Sequence, residues 1–228
     1  MLAVMKLRHR LLAAALAAVT ASASVAPAVV AQPTTRLEAA RKSLAALPAA
    51  DRKLVTEATA SLQAMKNARG RFTQTDPNGA TSSGAFYLQR PGKIRFEYDA
   101  KRPLLVVADG RNVKIYDRAL KTFDQYPLSA TPLSLFIGRD VRLDSGVVIE
   151  RVQRRPGGYA ITARDATRQA EGKIELVFSG TPARLSEWTV TDPQGQKTRV
   201  RLQGLTSVAS LDPGLFQLAA PARPAGRR

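Results

Sequence analysis

Acidic side chains on neighbouring predicted strands are the residues of this sequence whose types and spacing could do chemistry. Glu97, Asp99, Asp109 and Asp117 lie on or beside those strands, and a pair of carboxylates can act as general acid and general base in hydrolysis. Glu97, however, alternates with apolar residues, so its side chain points away from the apolar face of its strand. The pattern favours carboxylates on a solvated sheet face, with a carboxylate-dependent hydrolase as the alternative.

Histidine and cysteine supply no further chemistry to the folded chain. The sequence has no cysteine, and its one histidine, His9, lies in an N-terminal segment that is predicted to be removed. Ser-His-Asp triads, cysteine nucleophiles and zinc sites with imidazole or thiolate ligands are therefore excluded. The sequence also lacks a G-x-S-x-G elbow, a P-loop and a G-x-G-x-x-G turn after a strand. We predict that the protein is not an enzyme and that it holds no metal and no cofactor.

The N-terminus has the three parts of a secretory signal peptide. Three basic residues precede an apolar run over residues 11–19, and small residues follow it. The run is shorter than the ~20 residues that span a bilayer, so we predict a signal peptide over residues 1–31, cleaved after Ala31 or, as second choice, after Ala23. An uncleaved anchor is the alternative. No cysteine follows the signal, so the mature protein is not expected to carry a lipid of its own.

The sequence is strongly basic, with a formal net charge of +17 at pH 7. The positive residues are scattered among predicted turns and strands without a long block of like charge, and aromatic residues are few. This distribution favours a basic, solvated surface over a nucleic-acid site, so we expect no nucleic-acid partner. Approach to anionic membrane surfaces is an alternative use of the charge.

Helical patterns occur in the N-terminal part and once between strands. Residues 32–50 are alanine-rich and interrupted by prolines, which predicts a flexible or weakly helical arm. Asp51 has the side chain of a helix N-cap, and a helix is predicted over 52–68. A second, short and very apolar helix is predicted from Thr131 to Ile137. The first helix would bury the stripe formed by Leu54, Ala58, Leu62 and Met65.

From Arg71 onward the sequence alternates with a period of two. About ten strands at regular spacing, separated by Gly, Pro and Asp turns, predict an antiparallel sheet, sandwich or barrel. One face of this sheet would be apolar, and the two apolar helices could cover it. Periodicity alone does not distinguish an ordinary core from a ligand cavity at that place.

The order and spacing of several short segments carry more information than any one of them. They are Arg71–Thr75 after the amphipathic helix, Gly84–Tyr98, Val106–Gly110, Thr131–Phe136, Leu185–Asp192 and Asp212–Phe216. Together they extend over residues 52–217. In the order and spacing of these segments, the chain resembles the outer-membrane lipoprotein carrier (LolA) family.

The resemblance implies a mainly β (α+β) fold and a transport function. The expected fold is an incomplete antiparallel β-barrel (half-barrel) over residues 51–218, with a lid of short α-helices over an apolar cavity and a disordered tail over 219–228. The expected function is that of a periplasmic carrier that binds lipoprotein acyl chains and moves lipoproteins from the inner to the outer membrane. The implied partners are lipoproteins, an inner-membrane ATP-driven lipoprotein-release complex and an outer-membrane acceptor, with the carrier acting as a monomer.

The resemblance also implies the residues of the binding site. Arg90, in the Arg-Pro pair after the second strand, would hydrogen-bond backbone carbonyls of the lid and hold the cavity closed, for which the five donors of a guanidinium are suited. A plain turn arginine before Pro91 is the alternative. The predicted cavity residues are Leu54, Leu62, Ile94, Phe96, Tyr98, Val107, Ile115, Leu133, Phe136 and Trp188.

A sensor or binding module with the same half-barrel, which binds a protein partner and carries nothing, is another alternative. Such proteins usually append a second domain or a membrane anchor, and this sequence shows neither, which favours the carrier. Accumulation of lipoproteins at the inner membrane on depletion of the protein would separate the two.

Overall fold

The computed structural model describes the chain over residues 33–101, 103–138, 141, 143, 146–166 and 170–220. The predicted signal peptide with its cleavage sites, and residues 221–228 of the predicted tail, lie outside these ranges. Over the described ranges, none of the helices has the length and apolar character needed to cross a bilayer.

One antiparallel sheet forms the body of the molecule. Its strands are β1 (Asn67–Thr75), β2 (Thr81–Gln89), β3 (Lys93–Tyr98), β4 (Leu104–Asp109), β5 (Asn112–Asp117), β6 (Thr122–Pro127), β7 (Val147–Arg155), β8 (Gly158–Asp165), β9 (Lys173–Ser179), β10 (Arg184–Thr191) and β11 (Lys197–Ser207). They are adjacent in the order β6-β5-β4-β3-β2-β1-β11-β10-β9-β8-β7. The edge strands β6 and β7 do not pair with each other within the described ranges. The predicted half-barrel is therefore confirmed.

Alternation along the strands gives the sheet one apolar inner face. In β3, Ile94, Phe96 and Tyr98 are buried, whereas Arg95 and Glu97 are only partly buried on the outer face. This is the period-2 pattern that the sequence showed. Complete burial of a large apolar side chain stabilises the fold by about 1.5–3 kcal/mol relative to exposure, so this face supplies most of the packing energy.

The absence of a side chain at Gly84 permits close aromatic packing on the inner face. Gly84 pairs with Phe72 of β1 and with Tyr98 of β3. A Cβ atom at this position would overlap the carbonyl oxygen of Glu97 and would lie 2.7 Å from the Phe72 ring. The bare backbone makes room for the edge-on contact of the Phe72 and Tyr98 rings, whose centroids are 4.9 Å apart.

Strand β4 is apolar on both faces, and the prediction that Val107 lines the cavity is wrong. Val107 pairs with Arg95 of β3, so both side chains lie on the outer face of the sheet. There, Val107 and Leu105 pack against Phe216 of the 3₁₀ turn Pro213–Phe216 and form a small second core. A strand that is buried on both faces shows no alternation from which its register could be read.

The N-terminal arm differs from the flexible or weakly helical segment predicted over 32–50. Helix α1 (Pro33–Ala45) lies against the edge strand β7, and Ala40 is buried. The backbone N–H of Ile149 in β7 donates to the Ser43 hydroxyl oxygen at 3.2 Å. Because an edge strand presents unpaired backbone groups, the alanine-rich segment gains a partner in the folded protein that its own sequence does not reveal.

Helix α2 (Ala49–Ala64) corresponds to the predicted amphipathic helix, but the prediction that Asp51 caps it is wrong. Pro48 occupies the N-cap position, and Asp51 lies in the first turn, where a negative charge is favourable. The Asp51 carboxylate forms an ion pair with Arg154 at 2.8 Å. The face of α2 that packs on the sheet buries Val55, Ala58 and Leu62.

The second predicted helix is the single turn α3 (Ser134–Ile137), which follows a 3₁₀ turn at Leu128–Ala130. Both lie in the connection from β6 to β7. We call α2 with its C-cap residue Met65, together with residues 128–138, the lid, because these segments cover the inner face of the sheet. The lid packs into the main core through Leu128, Leu133, Leu135, Phe136 and Ile137 in addition to the buried residues of α2.

Candidate ligand cavity

A small apolar cavity lies between the inner face of the sheet and residues 131–133 of the lid. Its volume is about 60 Å³. The half-exposed wall residues Ile115, Tyr126 and Val190 stand at its opening, and the buried ones lie further in. The cavity is lined by Gln74, Phe96, Tyr98, Val113, Ile115, Tyr126, Thr131, Pro132, Leu133, Trp188, Val190, Thr198 and Val200.

Trp188, the single tryptophan of the chain, joins the sheet to the lid inside the cavity. Its ring centroid lies 5.1 Å from that of Phe136 in the lid, 6.0 Å from that of Phe96 and 6.3 Å from that of Phe86. Aromatic pairs of this kind contribute about 0.5–1.5 kcal/mol each beyond the burial of their area. Any outward movement of α3 would separate Phe136 from Trp188.

The cavity in this structure is too small for a long apolar ligand. Pockets that hold small-molecule ligands have volumes of about 300–1,000 Å³, whereas this one has about 60 Å³. Because protein interiors are close-packed and resist local expansion, a long apolar ligand can enter only if the lid moves away from the sheet. In this structure the lid packs on the sheet and leaves no room for such a ligand.

Arg90 bridges the two parts of the lid. Its Nε donates to the carbonyl oxygen of Met65 at 3.0 Å, just after the end of α2, and its Nη1 donates to the carbonyl oxygen of Phe136 in α3. Nearby, the backbone N–H of Gly92 donates to the carbonyl oxygen of Ile137 at 2.6 Å. The guanidinium therefore contacts both lid segments, which a plain turn arginine would not do.

Burial makes the Arg90 bridge energetically costly. Desolvation lowers the pKa of Arg90 to about 10. Within the described ranges, the buried Nη2 atom has no hydrogen-bond partner. The guanidinium is still protonated at neutral pH, but its charged form is less favourable than in water. The hydrogen bonds to the lid are thus opposed by the desolvation of the group that makes them.

The predicted site residues fall into three places. Phe96, Tyr98, Ile115, Leu133 and Trp188 line the cavity. Four of the predicted residues lie behind this wall. The main core buries Leu62 and Ile94. Phe136 packs on Trp188, and Leu54 is half-buried on α2. Val107 lies on the outer face.

Several wall residues were absent from the prediction. Val190, Thr198 and Val200 occupy β10 and β11, where alternation with exposed cations such as Arg199 gives a readable signal. Gln74 had no such signal, because a polar side chain at an inward position resembles a surface residue in the sequence.

The four candidate carboxylates lie outside the cavity wall. Glu97 pairs with Arg95 at 2.9 Å on the outer face. The pKa of Asp99 is lowered, first by a hydrogen bond from Ser83 and then by Arg71. Hydrogen bonds from its neighbours outweigh partial burial and lower the pKa of Asp109. Asp117 accepts two backbone N–H bonds in a turn. These contacts are structural, and the hydrolase alternative gains no support from them.

Comparison with known proteins identifies the family. The sequence model of the family described as "Outer membrane lipoprotein carrier protein LolA" matches residues 63–219. The chain belongs to the LolA family. This range begins in the last turn of α2 and ends just after the 3₁₀ turn at Pro213–Phe216, so it includes all eleven strands and α3.

Curated members of the LolA family align with most of the chain. An outer-membrane lipoprotein carrier protein of Methylococcus capsulatus is 32% identical over 171 residues, which cover 71% of this chain and 81% of the relative. A protein of the same name from Alkalilimnicola ehrlichii is 31% identical over 162 residues, which cover 67% and 73%. The crystal structure of a LolA superfamily protein from Nitrosomonas europaea has 9% identity, a TM-score of 0.43, and coverage of 73% of this chain and 96% of that one.

Proposed function

We propose that this LolA family member is a periplasmic carrier that encloses the acyl chains of lipoproteins between its sheet and its lid. The observation that carries the proposal is the apolar cavity under a lid whose two parts are bridged by Arg90. Such a site binds by burial of apolar surface and needs no reacting group. The protein would therefore act as a binding protein and not as an enzyme.

The energetics of acyl chains explain why a carrier needs an enclosed site and a movable lid. Burial of a methylene group gains about 0.8 kcal/mol, so a sixteen-carbon chain gains about 12 kcal/mol. A chain of this kind does not cross an aqueous compartment exposed. A carrier must match this burial and must also release its cargo, which the separation of a lid from a sheet can do without unfolding either.

The direction of transport would come from partners at the two membranes. An inner-membrane ATP-driven lipoprotein-release complex would supply the cargo, and an outer-membrane acceptor would receive it. A monomeric carrier that moves lipoproteins from the inner to the outer membrane fits this scheme, because it can dissociate from both partners.

Paired aspartate substitutions on β10 test cargo binding. Val190 lines the opening of the cavity, and its neighbour Thr189 lies on the opposite face of the same strand. We expect Val190→Asp to abolish displacement of an apolar dye by a diacylated lipopeptide, because a carboxylate in the wall is costly to desolvate. Thr189→Asp should bind as the unmodified protein does. Equal binding by both variants would contradict the assigned cavity.

Depletion in cells tests transport. If the protein is the carrier, lipoproteins should accumulate at the inner membrane when it is depleted, and purified protein from the periplasm should contain bound lipoprotein. Normal distribution of lipoproteins after depletion would contradict transport, whatever the protein binds in solution.

A further inference from the structure

Three polar side chains in the cavity wall stand out from their apolar surroundings. Gln74, Tyr98 and Thr198 line the cavity, yet only 1%, 5% and 8% of their surfaces are exposed. Burial of a polar group is costly unless the group is hydrogen-bonded. An ordinary core or a purely apolar cavity would carry aliphatic residues at these inward positions.

The strand register places this polar cluster on the side of the cavity that is away from Arg90. Thr198 pairs with Val190, the half-exposed residue at the opening, and Gln74 pairs with Val200 one step further in. Tyr98 is the last residue of β3, whereas Arg90 precedes the start of that strand. The polar cluster and the Arg90 bridge therefore lie toward opposite ends of the strands.

A chain of hydrogen bonds holds Tyr98 and Gln74 in place. The Tyr98 hydroxyl donates to Gln74 Oε1 at 2.6 Å, and Gln74 Nε2 donates to Asp76 Oδ1 at 2.6 Å. A primary amide carries two N–H groups, and a threonine hydroxyl can rotate to donate. The wall thus offers neutral donors from Gln74 and Thr198 at a fixed place beside an apolar interior.

We propose that Gln74 and Thr198 bind the ester or amide carbonyl oxygens of the acyl groups, so that each alkyl chain runs from the opening toward Trp188. This inference rests on the proposed carrier function and adds the recognition of the acyl linkage to it. Neutral donors in a buried wall suit an uncharged carbonyl oxygen.

The same wall disfavours an ionised free fatty acid. No lysine or arginine is among the described residues that line the cavity, and the Asp76 carboxylate accepts a hydrogen bond from Gln74 at 2.6 Å. A buried carboxylate without a cation is unfavourable, and a second negative charge nearby increases the penalty. The site therefore selects acyl chains that are linked through a neutral ester or amide over chains that end in a free acid.

The experiment compares one alkyl chain with two head groups. The mature protein is titrated at neutral pH with a fatty acid and with the glycerol monoester of the same acid, and binding is followed by displacement of an uncharged apolar dye. We expect the ester to bind at least about tenfold more tightly, which is the effect of about 1.4 kcal/mol. In Gln74→Leu/Thr198→Val, ester affinity should fall by about tenfold, toward that of the acid.

Thr198→Val alone and the outer-face variant Thr189→Val serve as controls. The first keeps the shape of the side chain and should lower ester affinity by about threefold, for loss of one neutral hydrogen bond. The second should change neither ligand. Equal affinity for ester and acid in the unmodified protein, or an unchanged preference in the double variant with a native unfolding curve, would overturn this inference and leave the carrier function standing. Failure of both ligands to displace the dye would instead contradict the carrier function.

Discussion

Replacement of Arg90 by leucine tests how strongly the lid is held. The variant loses two hydrogen bonds from a charged donor to the Met65 and Phe136 carbonyls, and bonds of this kind contribute about 1.5–3 kcal/mol each. Against this, burial lowers the pKa of Arg90 to about 10, which corresponds to ~3 kcal/mol of lost hydration of the charge. The bridge therefore stabilises the closed lid by a net of only about 0–3 kcal/mol.

Loss of this net contribution should raise the population of the open-lid state by up to about a hundredfold. Hydrogen exchange of the Gly92 N–H, which donates to Ile137 in the lid, should become faster. Trp188 emission should become more sensitive to an added quencher, because Phe136 no longer covers the ring. Arg199→Leu on the outer face of β11, where the side chain is exposed, is the matched control and should change neither signal.

The same variant should bind acylated cargo but hand it over poorly. In the proposed mechanism, release allows Arg90 of the unmodified protein to regain its bonds to the lid, and this gain favours the closed, cargo-free form. Without it, release is less favourable by the same net amount. The reasoning is refuted if Arg90→Leu shows unchanged Gly92 exchange and unchanged quenching, or if it transfers cargo at the normal rate.

Three further predictions concern sites outside the lid. Val107→Ala should lower the free energy of unfolding by about 1–3 kcal/mol, because this side chain is buried in the second core, but dye binding in the cavity should not change. In Ser83→Ala, the pKa of Asp99, measured by NMR, should rise toward its ordinary value, because the Ser83 hydrogen bond is the main cause of its lowering. The stability that Asp99 contributes is present at neutral pH and is lost as the pH falls through its lowered pKa. Gly84→Ala should fail to give a native circular dichroism spectrum, because the added Cβ overlaps the Glu97 carbonyl oxygen.

The sheet could be predicted from the sequence because most strands bury one face only. Alternation along β3 assigned Ile94, Phe96 and Tyr98 to the inner face, where the structure has them. In β4, apolar residues occupy both faces, so the choice of Val107 depended on a register that the pattern does not contain. The outer core around Phe216 forms from residues more than a hundred positions apart, and no local pattern reveals such a contact.

The candidate site was harder to predict from the sequence than the fold. Arg90 was found through the family resemblance and not through the chemistry of its surroundings, which becomes visible only when both lid carbonyls are in place. Gln74 remained hidden because a polar residue in an alternating strand indicates solvent unless its partners are known. Helix α1 packs against the exposed edge of β7, and this edge exists only once the sheet has folded.

The position of the last strand constrains how this protein assembles. Although β11 is near the C-terminus, it lies in the middle of the sheet, where it pairs Ala68 of β1 with Ser207. Until β11 is available, β1–β6 and β7–β10 are two separate meanders with unpaired strands that will later be central. During synthesis, which begins at the N-terminus, nearly the whole chain must therefore be made before β11 can join the two meanders. A truncation that removes β11 should leave one chain with two unjoined meanders, each with an exposed strand edge that favours aggregation.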